Sequence, residues 1–265
     1  MPATPFEAIT PPQRASIIPR AILILSDLHL SPSIPLTVQA FERFIDALDP
    51  VDVDAVYILG DLFEFWIGDD SLESPFAAGI AAKLASVSQR GMRLFVMHGN
   101  RDFLLGKRFA RTARATLLAD PHPLEAFGQH WLLTHGDALC TEDLSYQRFR
   151  AIVRRRWVQW LFLRWPLRWR TQIATNMRAK SEQAGASRMQ ISDVAPKTVA
   201  ALFDTYSGID ALIQGHTHRP ARHDESRDGR TLTRWVLSDW ELDHAPQRAS
   251  FLRLDTQGTH VISVQ

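Results

Sequence analysis

Residues 21–30 read AILILSDLHL: five apolar residues, then a polar cluster that includes Asp27 and His29. A short run rich in Ile and Leu, ended by an Asp, reads as a buried strand with chemistry just past its end. The arrangement recurs in AVYILGDLFEFW (55–66), RLFVMHGNRD (93–102), HWLLTHGD (130–137) and ALIQGHTHRP (211–220). RWVLSDW (234–240) has the strand pattern with a weaker end. Between the first three runs lie the helix-compatible stretches TVQAFERFIDAL (37–48) and PFAAGIAAKLASVSQR (75–90). Strand alternating with helix predicts an α/β layered fold. In open α/β sheets, sites lie beyond the carboxyl ends of strands, where these polar residues gather. From about Asp143 to Val194 the pattern becomes helical throughout, which predicts a helical cap inserted into a domain spanning 21–265. The segment from Trp235 onward reads as further β structure. Residues 1–20, rich in proline, are expected to form a flexible extension that is neither a secretory signal nor an anchor.

Of the 265 residues, 45% are hydrophobic and 22% charged, the mix of a soluble globular protein. The net charge of +1 argues against a global field for a polyanion, but it is unevenly spread. Arg154 to Arg188 carries nine Lys/Arg and one acid, a local +8 on a body that is otherwise acidic. The single cysteine, Cys140, excludes an internal disulfide, suits a reducing compartment and reads as a small buried hydrophobe. No run of about 18 apolar residues spans a bilayer, so the catalytic parts are expected to face the cytosol.

The strand ends supply Asp27, His29, Asp61, Asn100, His135, His216 and His218. Carboxylate, carboxamide and imidazole together favour Mn²⁺, Fe²⁺, Zn²⁺ or Co²⁺ over an all-oxygen cage. Seven ligands are too many for one tetrahedral site and suit two metals with a bridging carboxylate, as in phosphoryl hydrolysis. Asp-x-His and His-x-His have i, i+2 spacing, which in extended chain puts both side chains on one face. His98, His122, His130, His223, His244 and His260 lack such context and read as structural, with His98 at most supporting a ligand.

The ordered series DLH, GD, GN, HGD, GHTH resembles the calcineurin-like metallophosphoesterase superfamily, two β-sheets flanked by helices. SDLHL, YILGDLFEFWIGDD, HGNRDFLLGKRFA, HGDALCTED and GHTHRP are more specific still and resemble the UDP-2,3-diacylglucosamine hydrolase family of lipid A biosynthesis. The resemblance implies two Mn²⁺ ions, other divalent transition metals being alternatives. Asp27, His29 and His218 would hold the first, Asn100, His135 and His216 the second, with Asp61 bridging. Water would attack the uridine-linked phosphorus, giving UMP and 2,3-diacylglucosamine 1-phosphate. Asn100, Arg101 and His216 carry over as residues at the reacting phosphate, and Asp143, Ser181 and Arg188 as further substrate contacts. Where the family often has an asparagine, Gly185 offers only backbone.

Most superfamily members have GNH at the third motif, where the histidine protonates an alkoxide leaving group. Arg101 stands there instead. Arginine cannot serve as an acid but holds phosphate oxygens bidentately. A phosphate leaving group, whose second pKa is about 6, needs no proton, so the substitution points to pyrophosphate cleavage. The weaker reading is an ion pair of Arg101 with Asp102.

Between Arg154 and Arg170 the chain reads RRRWVQWLFLRWPLRWR, six arginines and four of the eight tryptophans without an acid. On one helix over 154–165, Trp157, Val158, Trp160, Leu161, Phe162 and Trp165 form an apolar arc, with Arg164 inside it, opposite Arg155, Arg156 and Gln159, and Pro166 is expected to kink or end the helix. Three readings remain open on composition: packing against the body, nucleic-acid binding, and a membrane surface. The resemblance favours the third, an inner-membrane surface contacted from the cytoplasm by a monomer that binds no nucleic acid, because a substrate with two acyl chains resides in lipid. A dimetal phosphodiesterase or nuclease is the alternative. A membrane-binding protein without catalysis is disfavoured by the full ligand set.

Overall fold

A computed structural model describes residues 20–187, 193–227 and 229–264. Two β-sheets pack face to face, with helices on their outer faces. The first sheet runs in the order β11-β10-β1-β2-β3-β4 and the second β5-β6-β7-β9-β8. β1 (Ala21–Leu25), β2 (Val53–Ile58), β3 (Arg93–Met97) and β4 (Thr116–Leu118) are parallel, linked by α1 (Pro35–Ala47), α2 (Pro75–Gln89) and α3 (Lys107–Thr112). β10 (Ser250–Asp255) pairs antiparallel with β1, and β11 (Gly258–Ser263) forms the edge.

The unbroken apolar runs follow from this layering. In β1, Ala21, Leu23 and Leu25 pack with Phe41, Phe44 and Ile45 of α1, whereas Ile22 and Ile24 meet Leu133 and Ile213 of the facing sheet. A strand buried on both faces needs no polar alternation. α1 and α2 each start on a proline, whose missing N–H is spared at a helix start; Ser74 also caps α2 by accepting from Ala77 N at 3.2 Å.

In the second sheet, β6 (Gln129–Thr134) and β7 (Ala211–Gln214) are parallel, as are β7 and β9 (Arg230–Val236). At the edges, β5 (His122–Ala126) pairs antiparallel with β6 and β8 (Ala221–Arg227) antiparallel with β9. The outer face of this sheet carries α7 (Pro196–Thr205) through Val199 and Phe203.

Between β6 and α7 lie α4 (Leu144–Val153), α5 (Arg156–Leu163) and α6 (Leu167–Ser187). Ala195 N donates to Leu139 O at 3.0 Å, so the chain leaves the body and returns to it at one point. The expected single helix over 154–165 is broken at its start. α4 ends at Val153, and Arg155 takes an extended conformation (ψ 126°) before α5. Its faces also differ from the wheel: Val158, Gln159 and Phe162 turn inward, so Gln159 does not join the outer cationic side. Nor are all the cations without acids. Arg154 Nη2 lies 3.6 Å from Asp137, and Arg170, buried to 2% exposure, pairs with Asp70. These acids lie far away in sequence, which is why the stretch alone hid them. Among the described residues, no helix is long and apolar enough to cross a membrane.

Candidate dimetal active site

The loops after β1, β2, β3, β6 and β7 meet above the ends of both sheets. Backbone bonds lace them together: Asp27 N to Gly60 O at 3.1 Å, His29 N to Asp61 O at 2.9 Å, and Gly215 N to His135 O at 3.0 Å. Asp27, His29, Asp61, His216 and His218 all have positive φ, between 47° and 68°. The i, i+2 pairs therefore do not converge by strand pleating, as the spacing suggested. β1 ends at Leu25 and β7 at Gln214, and left-handed turns bring each pair together. Such backbone costs on the order of 1 kcal/mol or more per residue and persists because the lacing fixes it. The glycines admit close approach. A Cβ on Gly99 would collide with the Asp61 carboxylate, and one on Gly215 with Ser26 and Asp27.

Ligand atoms of Asp27, His29 and His218 lie within 4.8 Å of one another, as do those of Asp27, Asp61 and His135. The Asp61 carboxylate has one oxygen 3.9 Å from His29 Nε2 and the other 3.8 Å from His135 Nε2. Asn100 Oδ1 lies 2.9 Å from His135 Nε2, and the His216 ring sits 5.1 Å from that of His135. The seven predicted ligands thus occupy one cluster, with Asp61 between its halves.

Burial works against charge throughout the cluster, and neighbours decide the outcome. For Asp27, the His218, His135 and His29 imidazoles outweigh burial and hold the carboxyl well below its usual range. Burial and then the Asp102 and Asp27 charges push Asp61 up to about 7 against the pull of His135. Burial disfavours the charge on His135, yet Asp61 and Asp27 raise it to about 9. Burial and the His135 charge lower His216 to about 4, so its ring is neutral near pH 7. A bound cation would take the place of the protons shared here by carboxylates and imidazoles.

The supporting groups were not foreseen. His135 Nδ1 meets Leu59 O at 2.8 Å, which frees Nε2 as the donor to a metal. Asp239 Oδ2 lies 3.4 Å from His218 Nδ1 and is gripped by Arg248. Asp102, fully buried, accepts from Gly99 N and Leu62 N at 2.8 Å and from Asp61 N at 3.3 Å, holding two ligand loops. Arg101 does not pair with Asp102; its Nη1 donates to Glu64 Oε1 at 2.5 Å. His98 bonds to Leu105 O at 2.7 Å, a structural role. Burial raises the Cys140 thiol to about 12, which makes it inert.

Asn100, Arg101 and Glu64 also line a cavity of about 540 Å³ that runs beneath α4, α5 and α6. Its far walls are mainly apolar, with Phe103, Phe149, Val158, Phe162 and Ile173. The polar cluster and an apolar chamber therefore share one wall.

Residues 20–220 match the calcineurin-like phosphoesterase family. The UDP-2,3-diacylglucosamine hydrolase of Ralstonia nicotianae is 52% identical over 243 residues, covering 88% of this chain and 88% of that protein. The enzyme of the same name from Aeromonas salmonicida is 48% identical over 219 residues, covering 82% of this chain and 85% of its own length. The chain belongs to the UDP-2,3-diacylglucosamine hydrolase family of calcineurin-like phosphoesterases. A solved archaeal phosphodiesterase is also similar, at 14% identity and a TM-score of 0.46, over 92% of this chain and 99% of that one.

For a calcineurin-like phosphoesterase, the cluster fits a divalent pair. Asp27 Oδ1, which faces His29 and His218, is buried without a hydrogen-bond partner, a costly state unless another group engages it. The donor set is carboxylate, carboxamide and imidazole, which suits borderline divalent ions. Of the other expected contacts, Asp143 caps α4, accepting from Tyr146 N at 3.0 Å and from Ser145 Oγ at 2.7 Å. The backbone of Ser181 lies in α6, but its side chain is outside the described residues, as is Arg188 and as are residues 1–19.

Proposed function

We propose that this chain hydrolyses the pyrophosphate bond of UDP-2,3-diacylglucosamine, releasing UMP and 2,3-diacylglucosamine 1-phosphate. One observation carries the reading: Arg101 stands beside the metal-ligand cluster and on the wall of an apolar cavity. A lipid-linked pyrophosphate needs both, and relatives about half identical bear the matching name.

Asp27, His29 and His218 would hold one cation and Asn100, His135 and His216 the other, with Asp61 between them. Mn²⁺ is the proposed ion. Two such cations supply Lewis acidity and acidify a water near neutral pH. The remaining work falls to side chains. The Arg101 guanidinium, always charged, lies where it can hold phosphate oxygens and stabilise charge as the anhydride breaks. His216, neutral near pH 7, has one ring-nitrogen lone pair for a cation and one N–H left to offer the uridine-linked phosphate. The departing sugar phosphate is stable as an anion, so no acid is required of the site.

The apolar cavity suits acyl chains, with residues 143–194 acting as the cap that encloses them and Asp143, Ser181 and Arg188 as further substrate contacts. Outside it, Trp157, Trp160 and Trp169 are more than half exposed among the exposed Arg155, Arg156, Arg164 and Arg168. Such a surface supports docking on anionic lipid from the cytoplasmic side. The monomer is the proposed active unit. The nuclease reading is disfavoured because the chamber beside the cluster is walled by aliphatic and aromatic side chains. UMP release from UDP-2,3-diacylglucosamine is expected with Mn²⁺, and none with chelator or in Asp61→Ala. Undiminished release by Asp61→Ala would refute the assignment.

A further inference from the structure

The two histidines of the Asp27–His29–His218 trio each turn a ring nitrogen away from the cluster toward a carboxylate. His218 Nδ1 faces Asp239, whose two oxygens are gripped by Nε and Nη2 of Arg248 at 2.6 and 2.5 Å. His29 Nδ1 faces Glu64 Oε2 at 3.6 Å, an ion-pair distance and too long for a hydrogen bond. The two carboxylates differ in what holds the second oxygen. Arg248 also donates to Pro246 O and belongs to the scaffold. Arg101, on Glu64 Oε1, faces the cavity beside Asn100 with a third of its side chain exposed.

Glu64 sits on rigid backbone. Its N–H donates to Leu30 O at 3.2 Å, and two residues on Trp66 N donates to Arg101 O at 3.0 Å. The segment is therefore stitched to the DLH loop on one side and to the GNR loop on the other. The Glu64 side chain is 11% exposed and lines the cavity.

We propose that Glu64 is a positioning residue with two duties: Oε2 orients the His29 imidazole for its cation, and Oε1 fixes the Arg101 guanidinium where substrate phosphate enters. A carboxylate behind an imidazole sets its tautomer and raises its basicity as a ligand. A guanidinium has five N–H donors, so one spent on Glu64 leaves a fork for phosphate while the rotamer is held. The second duty rests on the pyrophosphatase reading; the first does not. Asp239 performs only the first kind of duty, which makes it the internal control.

Metal-stripped wild type, Glu64→Gln and Asp239→Asn are titrated with Mn²⁺ alone by calorimetry, with thermal melts recorded for each. Both variants are expected to bind the tighter Mn²⁺ about 10- to 100-fold more weakly than wild type. UMP release is then measured at saturating Mn²⁺ with and without Arg101→Ala. Arg101→Ala should cost little more once Glu64 is Gln, but its full factor in the Asp239→Asn background. Wild-type Mn²⁺ affinity in Glu64→Gln, or an equal Arg101→Ala penalty in both backgrounds, overturns the proposal. If Glu64→Gln does not fold, Glu64→Asp takes its place: it keeps the charge but not the reach, and the same two comparisons decide. Weakened Mn²⁺ binding with no UMP release by wild type would refute the pyrophosphatase reading while supporting the His29 duty.

Discussion

Arg101 occupies the position after Gly-Asn where an acid would assist an alkoxide to leave, and its guanidinium cannot give up a proton. It donates instead to Glu64, beside the cluster. Arg101→Ala should lower kcat on the order of 10²- to 10³-fold, the usual cost of removing a group that stabilises developing charge. Arg101→His should not restore it, as steady-state UMP release will show; rescue by histidine would mean the leaving group does need a proton. The clustering of the seven candidate ligands was legible because each follows an apolar strand and belongs to a distinctive polar string. Glu64 and Asp239 were not, since nothing in DLFEFW or LSDW separates a supporting carboxylate from a surface one. Convergence of Asp27 with His29 was legible too, but for the wrong reason: left-handed turns, not the pleat of a strand, bring them together.

At the level of elements, α4 and α6 are fastened to the body by half-buried and buried arginines. Arg150 and Arg154 reach Asp137, two residues past His135, and Arg154 also donates to Gly99 O at 2.8 Å. At the other end, Arg170 is clasped by Ile67 O, Trp165 O and the Asp70 carboxylate. Breaking such a clasp leaves carbonyls and a carboxylate without their donor, a cost of about 1–3 kcal/mol per buried group. Arg170→Met is expected to speed amide exchange in α5 and α6 by about 10-fold or more while β1, β2 and β3 stay protected; unchanged exchange in the cap would show that Arg170 does not secure it. β1, β2 and β3 with α1 and α2 were readable because both faces of each strand are apolar. β8, ARHDESR, was not: an exposed edge strand has no buried face to impose alternation. The division into two sheets depends on which strands pair rather than on the runs themselves, so it was legible only through the family resemblance of the polar strings.

Over the whole molecule, a nearly neutral protein gathers exposed arginines and tryptophans from one stretch, Arg155 to Trp169, on the surface of the helices that roof the cavity. Some of that stretch is ordinary packing: Phe162 joins the core, and Arg170 is buried. The remainder, including Arg164 stacked 4.0 Å over Trp160, faces outward. Each basic residue near anionic lipid contributes about 1 kcal/mol, so Arg155→Gln with Arg156→Gln should weaken binding to phosphatidylglycerol-containing vesicles on the order of 10-fold. Flotation with wild-type strength would exclude this surface as the docking site. The central claim is that water attacks the uridine-linked phosphorus of a lipid pyrophosphate. Turnover of UDP-2,3-diacylglucosamine in ¹⁸O-water, followed by mass spectrometry of both products, tests it most directly. One ¹⁸O atom in UMP and none in the lipid phosphate is the predicted result; label in the lipid phosphate would contradict the account.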